Sequence, residues 1–206
     1  MPLPKLSACA ARALLVVASL VLVAAPAGAA PRTDNQQPTL VDADSLRYDD
    51  LKQTSIFVGN VALTKGTLTL RADRLELHED PEGFQMGVAT ANSGKLVFVR
   101  QQREGTDEFI EGIAERVEFD GRNDRIHFIS KAVVKRLLCE QVVDEVQGQQ
   151  ITYDQRTETY SANGGPQSPT PNQRVRAVIQ PRAPGTAAAP SSGCGPKTAA
   201  PARKAP

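Results

Sequence analysis

The chain has 206 residues, and its 24 Lys and Arg against 23 Asp and Glu give a formal net charge of +1 at pH 7. Aromatic side chains make up 4% of the sequence, and Trp is absent. So few aromatic rings on a near-neutral chain disfavour a nucleic-acid platform that stacks bases on its surface. The length allows one or two domains.

The first 29 residues have the pattern of a cleavable signal peptide. Lys5 and Arg12 precede an apolar run, Ala13 to Ala25, in which Ser19 is the one polar residue. Ala27-Gly28-Ala29 then supplies the small residues of a signal peptidase site. The run is shorter than the about 20 residues that a permanent membrane span needs. We therefore expect residues 1–29 to be removed on export, with an uncleaved anchor as the alternative.

The last segment differs in composition from the middle of the chain. Residues 165–206 are rich in Pro, Gly, Ala and Ser, and their charged residues are all basic. Such a segment buries little apolar area, so we expect a disordered tail. The tail either contacts an acidic surface such as lipid headgroups or only keeps the protein soluble. Residues 38–164 are predicted to form one domain after a short N-terminal segment, residues 30–37.

The middle of the chain alternates apolar and polar side chains, which is the period of a half-buried β-strand. The alternation begins around Leu46 and Tyr48 and resumes at Phe57, Val61 and Leu63. Further strand patterns follow as far as residue 162, separated by turn signals rich in Asp, Asn, Gly and Pro. No segment has a convincing helical stripe of ten or more residues, so the pattern predicts an all-β domain.

One strand pattern changes its parity part of the way along. Leu68 and Leu70 are at even-numbered positions, whereas Leu75 and Leu77 are at odd-numbered positions. An odd step between two apolar faces predicts a bulge or corner near Arg71–Asp73, at which a sheet bends or changes partner.

A motif with a polar residue followed by two apolar residues at alternate positions recurs along the chain. The segment Phe57–Leu63 also aligns with Phe128–Val134. Repeated β-units build a core by stacking, each burying one face on the next. The alternative is that any antiparallel sheet protein shows such alternation by chance. The four copies of the motif are Asp44-x-Leu46-x-Tyr48, Asp73-x-Leu75-x-Leu77, Glu115-x-Val117-x-Phe119 and Gln149-x-Ile151-x-Tyr153.

The sequence has no pattern of reactive groups that points to catalysis. His78 and His127 have no second His or Cys at metal-ligand spacing, and phosphate-loop and nucleophile-elbow motifs are absent. Asp49, Asp120 and Asp154 each follow a strand, where turn formation explains a carboxylate that accepts bonds from the next backbone amides. We therefore expect no enzymatic activity, no metal and no cofactor.

Two cysteines lie outside the predicted signal peptide. Cys139 is in an apolar strand-like run and Cys194 is in the tail. An exported protein can form a disulfide. However, a bond between a core strand and a disordered tail is an unusual constraint, so the sequence favours two free thiols with Cys139 buried.

The large aliphatic face of the predicted sheet has two possible fates. It can close on itself as a dry core, or two sheets can splay and accept an apolar ligand. Burying a lipid chain gains roughly 0.8 kcal/mol per methylene, so acyl chains can bind without a specific polar site. The residue pattern alone leaves both outcomes open.

The ordered motifs resemble the OstA-like domain family of LptA-type periplasmic lipopolysaccharide-transport proteins. They are Ala43–Asp49, Phe57–Val61 and Gly148–Asp154, supported by Leu70–Leu75 and Ile110–Glu115. The resemblance covers about residues 38–164. It implies a twisted, slightly open β-jelly roll of short antiparallel strands. It also implies that the groove shields lipid A acyl chains during transport through the periplasm from the inner to the outer membrane.

The resemblance further implies partners and contact surfaces. The ligand is lipopolysaccharide, and the open sheet edges pair with an LptC-like inner-membrane subunit, an LptD-like outer-membrane subunit or further copies head to tail. The expected partner edges are Thr39, Leu40, Val41 and Asp42 at the N-terminus, and Thr157, Thr159 and Tyr160 at the C-terminus. The side chains expected to face the groove are Leu46, Tyr48, Phe57, Val61, Leu63, Leu68, Leu70, Leu75, Leu77, Phe98, Val117, Phe119, Phe128, Ile151 and Tyr153.

The sequence also allows two alternatives to the soluble carrier. One is an LptC-like jelly-roll subunit that stays anchored by its N-terminus. The other is a structural or adaptor protein of the periplasm with a closed core and no lipid ligand. Saturable binding of lipopolysaccharide by the delipidated protein is expected only for the carrier.

Overall fold

The computed structural model describes residue 34 and residues 37–181, so the predicted signal peptide, Cys194 and residues 182–206 lie outside the described part. The described part is built from antiparallel β-strands, which confirms the predicted fold class. The strands are β1 (Leu40–Asp42), β2 (Ser45–Asp49), β3 (Thr54–Lys65), β4 (Leu68–Glu79), β5 (Gln85–Thr90), β6 (Val97–Gln102), β7 (Glu108–Ala114), β8 (Arg116–Asp120), β9 (Arg125–Leu138), β10 (Gln141–Asp154), β11 (Thr159–Asn163) and β12 (Arg176–Ile179).

Four long strands of 12 to 14 residues, β3, β4, β9 and β10, organise the fold. Each changes its neighbours along its length. β4 pairs with β6 through residues 69–71 and with β5 through residues 74–79. β9 pairs with β8 through residues 125–129 and with β7 through residues 133–138. The long strands therefore run through two half-sheets, and the partner change in β4 lies where the odd step near Arg71–Asp73 predicts it.

We call the half-sheets sheet one and sheet two. Sheet one contains β2, β5, β8 and β11, and sheet two contains β1, β6, β7 and β12, each with half of every long strand. The two sheets face each other, since Phe128 of sheet one packs on Gly112 of sheet two. A Cβ atom added at Gly112 would lie 2.2 Å from the Phe128 ring. One hydrophobic core fills the space between the sheets.

The long strands bend where they pass from one sheet to the other, and we call this line the corner. In β3 the bend is at Gly59 and Asn60, with φ of 83° and 45°. In β9 it is at Ser130 and Lys131, with φ of 64° and 52°. Each pair of residues bulges opposite a single residue of the neighbouring long strand.

The chain folds as two equivalent units of six strands. In the first unit β1 and β2 pair with β3, and β5 and β6 pair with β4. In the second unit β7 and β8 pair with β9, and β11 and β12 pair with β10. The pair Val41–Leu63 of the first unit corresponds to Gly112–Val134 of the second. The sequence repeat is thus present as a duplication of a six-stranded unit.

The C-terminal limit predicted for the domain is too early. The composition predicts disorder from residue 165, but Arg176–Ile179 forms β12 and pairs with β10. The prediction fails here because β12 is held by the edge of a distant strand. A local apolar pattern does not specify it, and all four of its residues are exposed.

The expected free, buried thiol at Cys139 is also wrong, because Cys139 is disulfide-bonded. This residue lies in the turn between β9 and β10 and has a φ of 57°. Its amide donates to the carbonyl oxygen of Asp107 at 3.0 Å. The apolar residues before it make the sequence look like a continuous strand, which hides the turn. A half-exposed turn position can be reached by a second cysteine, unlike a core strand position.

Replacing Gly112 by Ala is expected to lower the free energy of unfolding by about 1–3 kcal/mol, because the new methyl group overlaps the Phe128 ring. Urea denaturation followed by circular dichroism measures this change. In a Phe128→Leu background the same substitution is expected to cost less, since the two sites share one contact. Equal costs in both backgrounds would contradict the packing of sheet one on sheet two.

Replacing Lys131 by Gly is expected to raise the free energy of unfolding by about 0.5–1 kcal/mol, since a Cβ is strained at a positive φ. The substitution removes only an exposed ion pair, in which the Lys131 and Glu115 side chains are 55% and 40% exposed. Lys135→Gly, in the regular part of β9, is the matched control and is expected to be destabilising. Changes of the same sign in both variants would argue against strain at the corner.

Candidate functional site

A row of apolar side chains crosses the inner face of sheet one. Each member is paired with the next on the neighbouring strand, so all of them point to the same side. A second row, beginning at Tyr48 and ending at Tyr160, runs beside it through Leu77, Phe119 and Tyr153. The first row is Leu46, Phe57, Leu75, Ala89, Val117, Phe128, Ile151 and Ala162.

Sheet two carries a matching row on the face that opposes sheet one. Its members again pair from strand to strand across the whole sheet. Together, the rows of the two sheets form the continuous apolar lining of the jelly roll. The row of sheet two is Val41, Leu63, Leu70, Val99, Gly112, Val134, Val146 and Ala177.

The residues predicted to face the groove lie on these inner faces with one exception, Phe98. Phe98 pairs with Arg71 and Ile113, on the opposite side of β6 from Val97 and Val99. Val97 and Val99 are the buried residues of this strand, at 0% and 4% exposure. Four apolar residues follow one another here, so alternation does not show which of them face the core. The large ring of Phe98 leads to its wrong assignment to the inner face.

Sequence reasoning also misses several inner residues of the core. Most are small, and alanine at alternate positions is a weak signal for a buried strand. In β9 a run of adjacent apolar residues conceals the alternation. The missed core residues are Ala89, Val97, Val99, Ile110, Ala114, Ile126, Ala132 and Val134.

The exposure of the lining changes along its length. In the middle Leu75 and Phe128 are 2% and 1% exposed, so the two sheets close on each other there. At the N-terminal end Leu46 and Tyr48, on the same inner face, are 58% and 55% exposed. The structure therefore has a sealed middle and an open, apolar N-terminal end.

The C-terminal end of the lining is closed by aromatic rings. Tyr153 and Tyr160 stack with ring centroids 4.6 Å apart. Burial raises the pKa of both hydroxyl groups. In the described part of the chain the Tyr160 hydroxyl has no hydrogen-bond partner. Both rings thus present their apolar faces to the core and remain neutral at physiological pH.

A cluster of charges surrounds this aromatic end. Arg136 donates to Glu108 at 2.7 Å and also pairs with Asp144. Arg103 pairs with Glu108 and with Glu158. Since Glu108 joins the two arginines, the cluster links β7, β9, β10 and two turns. It fixes the C-terminal end of the jelly roll through polar contacts that no apolar ligand can replace.

Opposite the corner, the free ends of the two sheets meet along a line that we call the rim. The contacts that cross the rim are polar, and water can replace them at little net cost. The rim is therefore easier to part than the corner, through which four strands pass. The rim contacts outside the charge cluster are Lys65–Gln85 and Gln101–Gln155.

The carboxylates that end strands act as turn formers, as the sequence predicts. Asp49 accepts from the amide of Lys52 at 3.2 Å. The Asp120 carboxylate accepts from the side chain and amide of Asn123 and from the amide of Arg122, and these bonds hold its pKa below the ordinary value. The Asp154 carboxylate binds Arg125 and accepts from the amide of Thr157, which likewise lowers its pKa.

Each end of the sheet presents edge strands. β1 and β2 form the N-terminal edge, and β11 and β12 form the C-terminal edge. The predicted edge residues Leu40, Val41 and Asp42 make up β1, and Thr159 and Tyr160 begin β11. Thr157 instead lies in the turn before β11, where its amide donates to Asp154. The sequence misses β12 as the second strand of the C-terminal edge.

Neither a metal site nor a membrane helix is found among residues 34 and 37–181. No group of three or more His, Cys, Asp or Glu in this part could hold a metal ion. No helix in this part is long and apolar enough to cross a membrane.

Curated relatives match most of the chain. The lipopolysaccharide export system protein LptA of Escherichia coli K12 is 28% identical over 171 residues, which are 81% of this chain and 84% of the relative. LptA of Haemophilus influenzae is 26% identical, covering 82% of this chain and 91% of the relative. LptH of Pseudomonas aeruginosa is 26% identical, covering 73% and 83%.

The fold also matches a solved structure. The crystal structure of LptH, the LptA homologous periplasmic component of the lipopolysaccharide transport device of Pseudomonas aeruginosa, superposes with a TM-score of 0.63. The match has 24% sequence identity and covers 73% of this chain and all of that chain. The family model described as LptA/(LptD N-terminal domain) LPS transport protein matches residues 40–159. Because that match spans more than half of the sequence, the chain belongs to the LptA/(LptD N-terminal domain) family of LPS transport proteins.

Proposed function

We propose that this protein carries lipopolysaccharide across the periplasm and shields the lipid A acyl chains on the inner face of its jelly roll. Membership of the LPS transport family supports the role. The structural observation that carries it is the apolar row of sheet one, which runs without a break from the sealed core to the open N-terminal end. There Leu46 and Tyr48 offer an inner surface that is more than half exposed.

The lining recognises acyl chains by burial alone. Each methylene that leaves water for an apolar face gains about 0.8 kcal/mol, so several chains bind tightly without a polar contact. The acyl chains enter at Leu46 and Tyr48, where the inner face is already exposed. Penetration further along requires the polar rim to part, while the corner keeps the sheets joined.

The open edges suit a bridging role between the two membranes. Unpaired backbone groups on β1, β2, β11 and β12 can add a strand of a partner. We infer that an LptC-like inner-membrane subunit and an LptD-like outer-membrane subunit pair with these ends, and that further copies extend the bridge. Curated relatives named lipopolysaccharide export system proteins support this assignment, as does the pattern of a signal peptide.

The sealed middle of the core favours a second candidate, an adaptor with a closed core that binds partners only through its edges. Side chains such as Val97 and Ala132, each 0% exposed, leave no room for a ligand in this conformation. The two candidates differ in a single property, which is saturable binding of lipopolysaccharide.

Delipidated protein titrated with fluorescently labelled lipopolysaccharide is expected to show saturable binding. Leu46→Gln is expected to weaken the affinity about tenfold, since burying a leucine side chain contributes about 1.5–3 kcal/mol. The matched control is Val58→Gln, because Val58 is 42% exposed and on the opposite face of β3 from Phe57. Absence of saturable binding by the unmodified protein would favour the adaptor.

Photo-crosslinking maps the same surface at neighbouring positions. A benzophenone side chain at Phe57 or Val61 is expected to capture lipopolysaccharide, because both residues belong to the inner face. The same group at the outward Val58 is expected to capture none. Capture at Val58 with none at Phe57 and Val61 would show that lipid binds the outer face.

A further inference from the structure

The disulfide at Cys139 has a restricted choice of partners. Cys139 is disulfide-bonded, and the whole sequence contains three cysteines, of which the other two are Cys9 and Cys194. Cys9 lies in the predicted signal peptide and is lost when that segment is removed on export. In the exported chain, Cys194 is then the one other cysteine that the sequence offers for a bond within the molecule.

We propose that Cys139 is bonded to Cys194 in the exported protein, and that this bond fastens the chain after β12 to the end of sheet two. The pairing of β12 with β10 then depends on oxidation of the two thiols. The proposal goes beyond the carrier role. It uses only the export that the proposed function includes, and it can be tested without lipopolysaccharide.

β12 runs toward the turn that contains Cys139. The strand is antiparallel to β10, and its last residue, Ile179, pairs with Asp144. The amide of Gln180 continues the ladder by donating to the carbonyl oxygen of Val143 at 3.1 Å. Val143 is four residues after Cys139 in the sequence. The chain therefore leaves β12 beside the turn and not at the far end of the sheet.

The segment that follows is long enough to bring the second cysteine back. Fourteen residues lead from Gln180 to Cys194, and they can span at most about 46 Å. The four residues from Val143 to Cys139 span at most about 13 Å. A disulfide needs the two Cα atoms to lie about 4.4–6.8 Å apart. The length of the chain thus permits the bond.

The turn holds its own cysteine in place. The amide of Cys139 donates to the carbonyl oxygen of Asp107 at 3.0 Å, which ties the turn to the loop before β7. The carboxylate of the next residue, Glu140, pairs with Arg100 of β6 at 2.9 Å. Cys139 itself is half-buried, so its sulfur lies at the surface of a fixed part of sheet two.

β12 has few other contacts to hold this end of it. All four of its residues are exposed, and Ile179 is 75% exposed, so burial of apolar surface contributes little. Within the described part of the chain, β12 pairs with β10 alone. The opposite end of the strand is already fastened, since the segment before it binds the corner through Gln167. A disulfide after β12 supplies the missing second attachment.

The bond forms by two thiol–disulfide exchange steps with a disulfide oxidant of the exporting compartment. One cysteine thiolate attacks the oxidant's disulfide, forms a mixed disulfide and releases one oxidant thiolate. The second cysteine thiolate then attacks the protein sulfur of the mixed disulfide and releases the other oxidant thiolate. The protein loses two protons and two electrons, and the oxidant becomes a dithiol. An oxidising compartment keeps the product.

Peptide mapping tests the pairing directly. The full chain is expressed with its own N-terminus, recovered from the periplasm, alkylated before any reduction and digested with trypsin. Cleavage after Arg136, Arg156, Arg182 and Lys197 places the two cysteines on residues 137–156 and 183–197. These two peptides are expected to appear as one linked ion that reduction separates. Alkylated Cys194, or Cys139 linked to Cys9 or to a second copy of the chain, would overturn the pairing.

Hydrogen exchange tests the fastening of β12. The Gln180 amide donates to β10, and the amide of Val178, two residues earlier, faces the same neighbour. In Cys194→Ser both amides are expected to exchange at least about fivefold faster than in the oxidised wild-type chain, because the strand end then detaches more often. Amides of β5 are the internal control and are expected to be unchanged.

Reduction gives the matched comparison. A reducing agent is expected to speed exchange in β12 of the wild-type chain to the rate of Cys194→Ser, and to leave Cys194→Ser itself unchanged. Cys139→Ser is expected to reproduce Cys194→Ser, since either substitution removes the same bond. Equal exchange in β12 of the oxidised wild-type chain and of Cys194→Ser would overturn the fastening.

Discussion

The bend at the corner, where the backbone adopts positive φ angles, is the constraint on which the two-sheet architecture depends. A straight strand of 12 to 14 residues would belong to one sheet only. Gly59 takes up the bend in β3, and the side chain of its neighbour Asn60 donates to the Asp44 carboxylate at 2.9 Å. In β9 the bend is taken by Ser130 and Lys131, whose side chains make left-handed geometry costly.

A segment beyond the predicted domain limit offsets this cost in β9. The amide of Lys131 donates to the carbonyl oxygen of Gln167 at 2.8 Å, and the Ser130 hydroxyl donates to the Gln167 side chain. The amide of Gln167 in turn donates to the side chain of Gln149. The segment between β11 and β12 therefore crosses the corner and holds the strained residues. Its role explains why the ordered structure extends past residue 164.

The repeated sequence motif combines two functions at the corner. Its polar residue meets backbone or charged groups there, as when Asp73 accepts from the amide of Asn92 at 2.8 Å and from Lys95 at 3.0 Å. The Glu115 carboxylate likewise pairs with Lys131 of the corner at 2.7 Å. Its apolar residues, two and four positions later, enter the inner rows. A single five-residue pattern thus specifies both the bend and the lining, which is why it recurs.

The sequence predicts the fold and most of the lining because alternation is a local property of a strand. Leu46, Leu75, Val117 and Ile151 are identified by period alone. Phe98 is misassigned because its apolar neighbours remove the alternation that defines a face. The strand β12 and the turn at Cys139 are missed for another reason. Both depend on contacts with residues far away in the sequence, with β10 in one case and Asp107 in the other.

The two edges of the domain differ in sequence and lie at opposite ends of the strand order, β1 and β2 at one end and β11 and β12 at the other. A contact between unlike edges is heterologous, and it leaves one free edge of each kind however many copies join. A row of copies joined in this way has no preferred number of copies. If copies join in this way, the supply of copies and the partners that present one edge without the other set the number of copies, so the distance spanned can follow the spacing of the surfaces at the two ends.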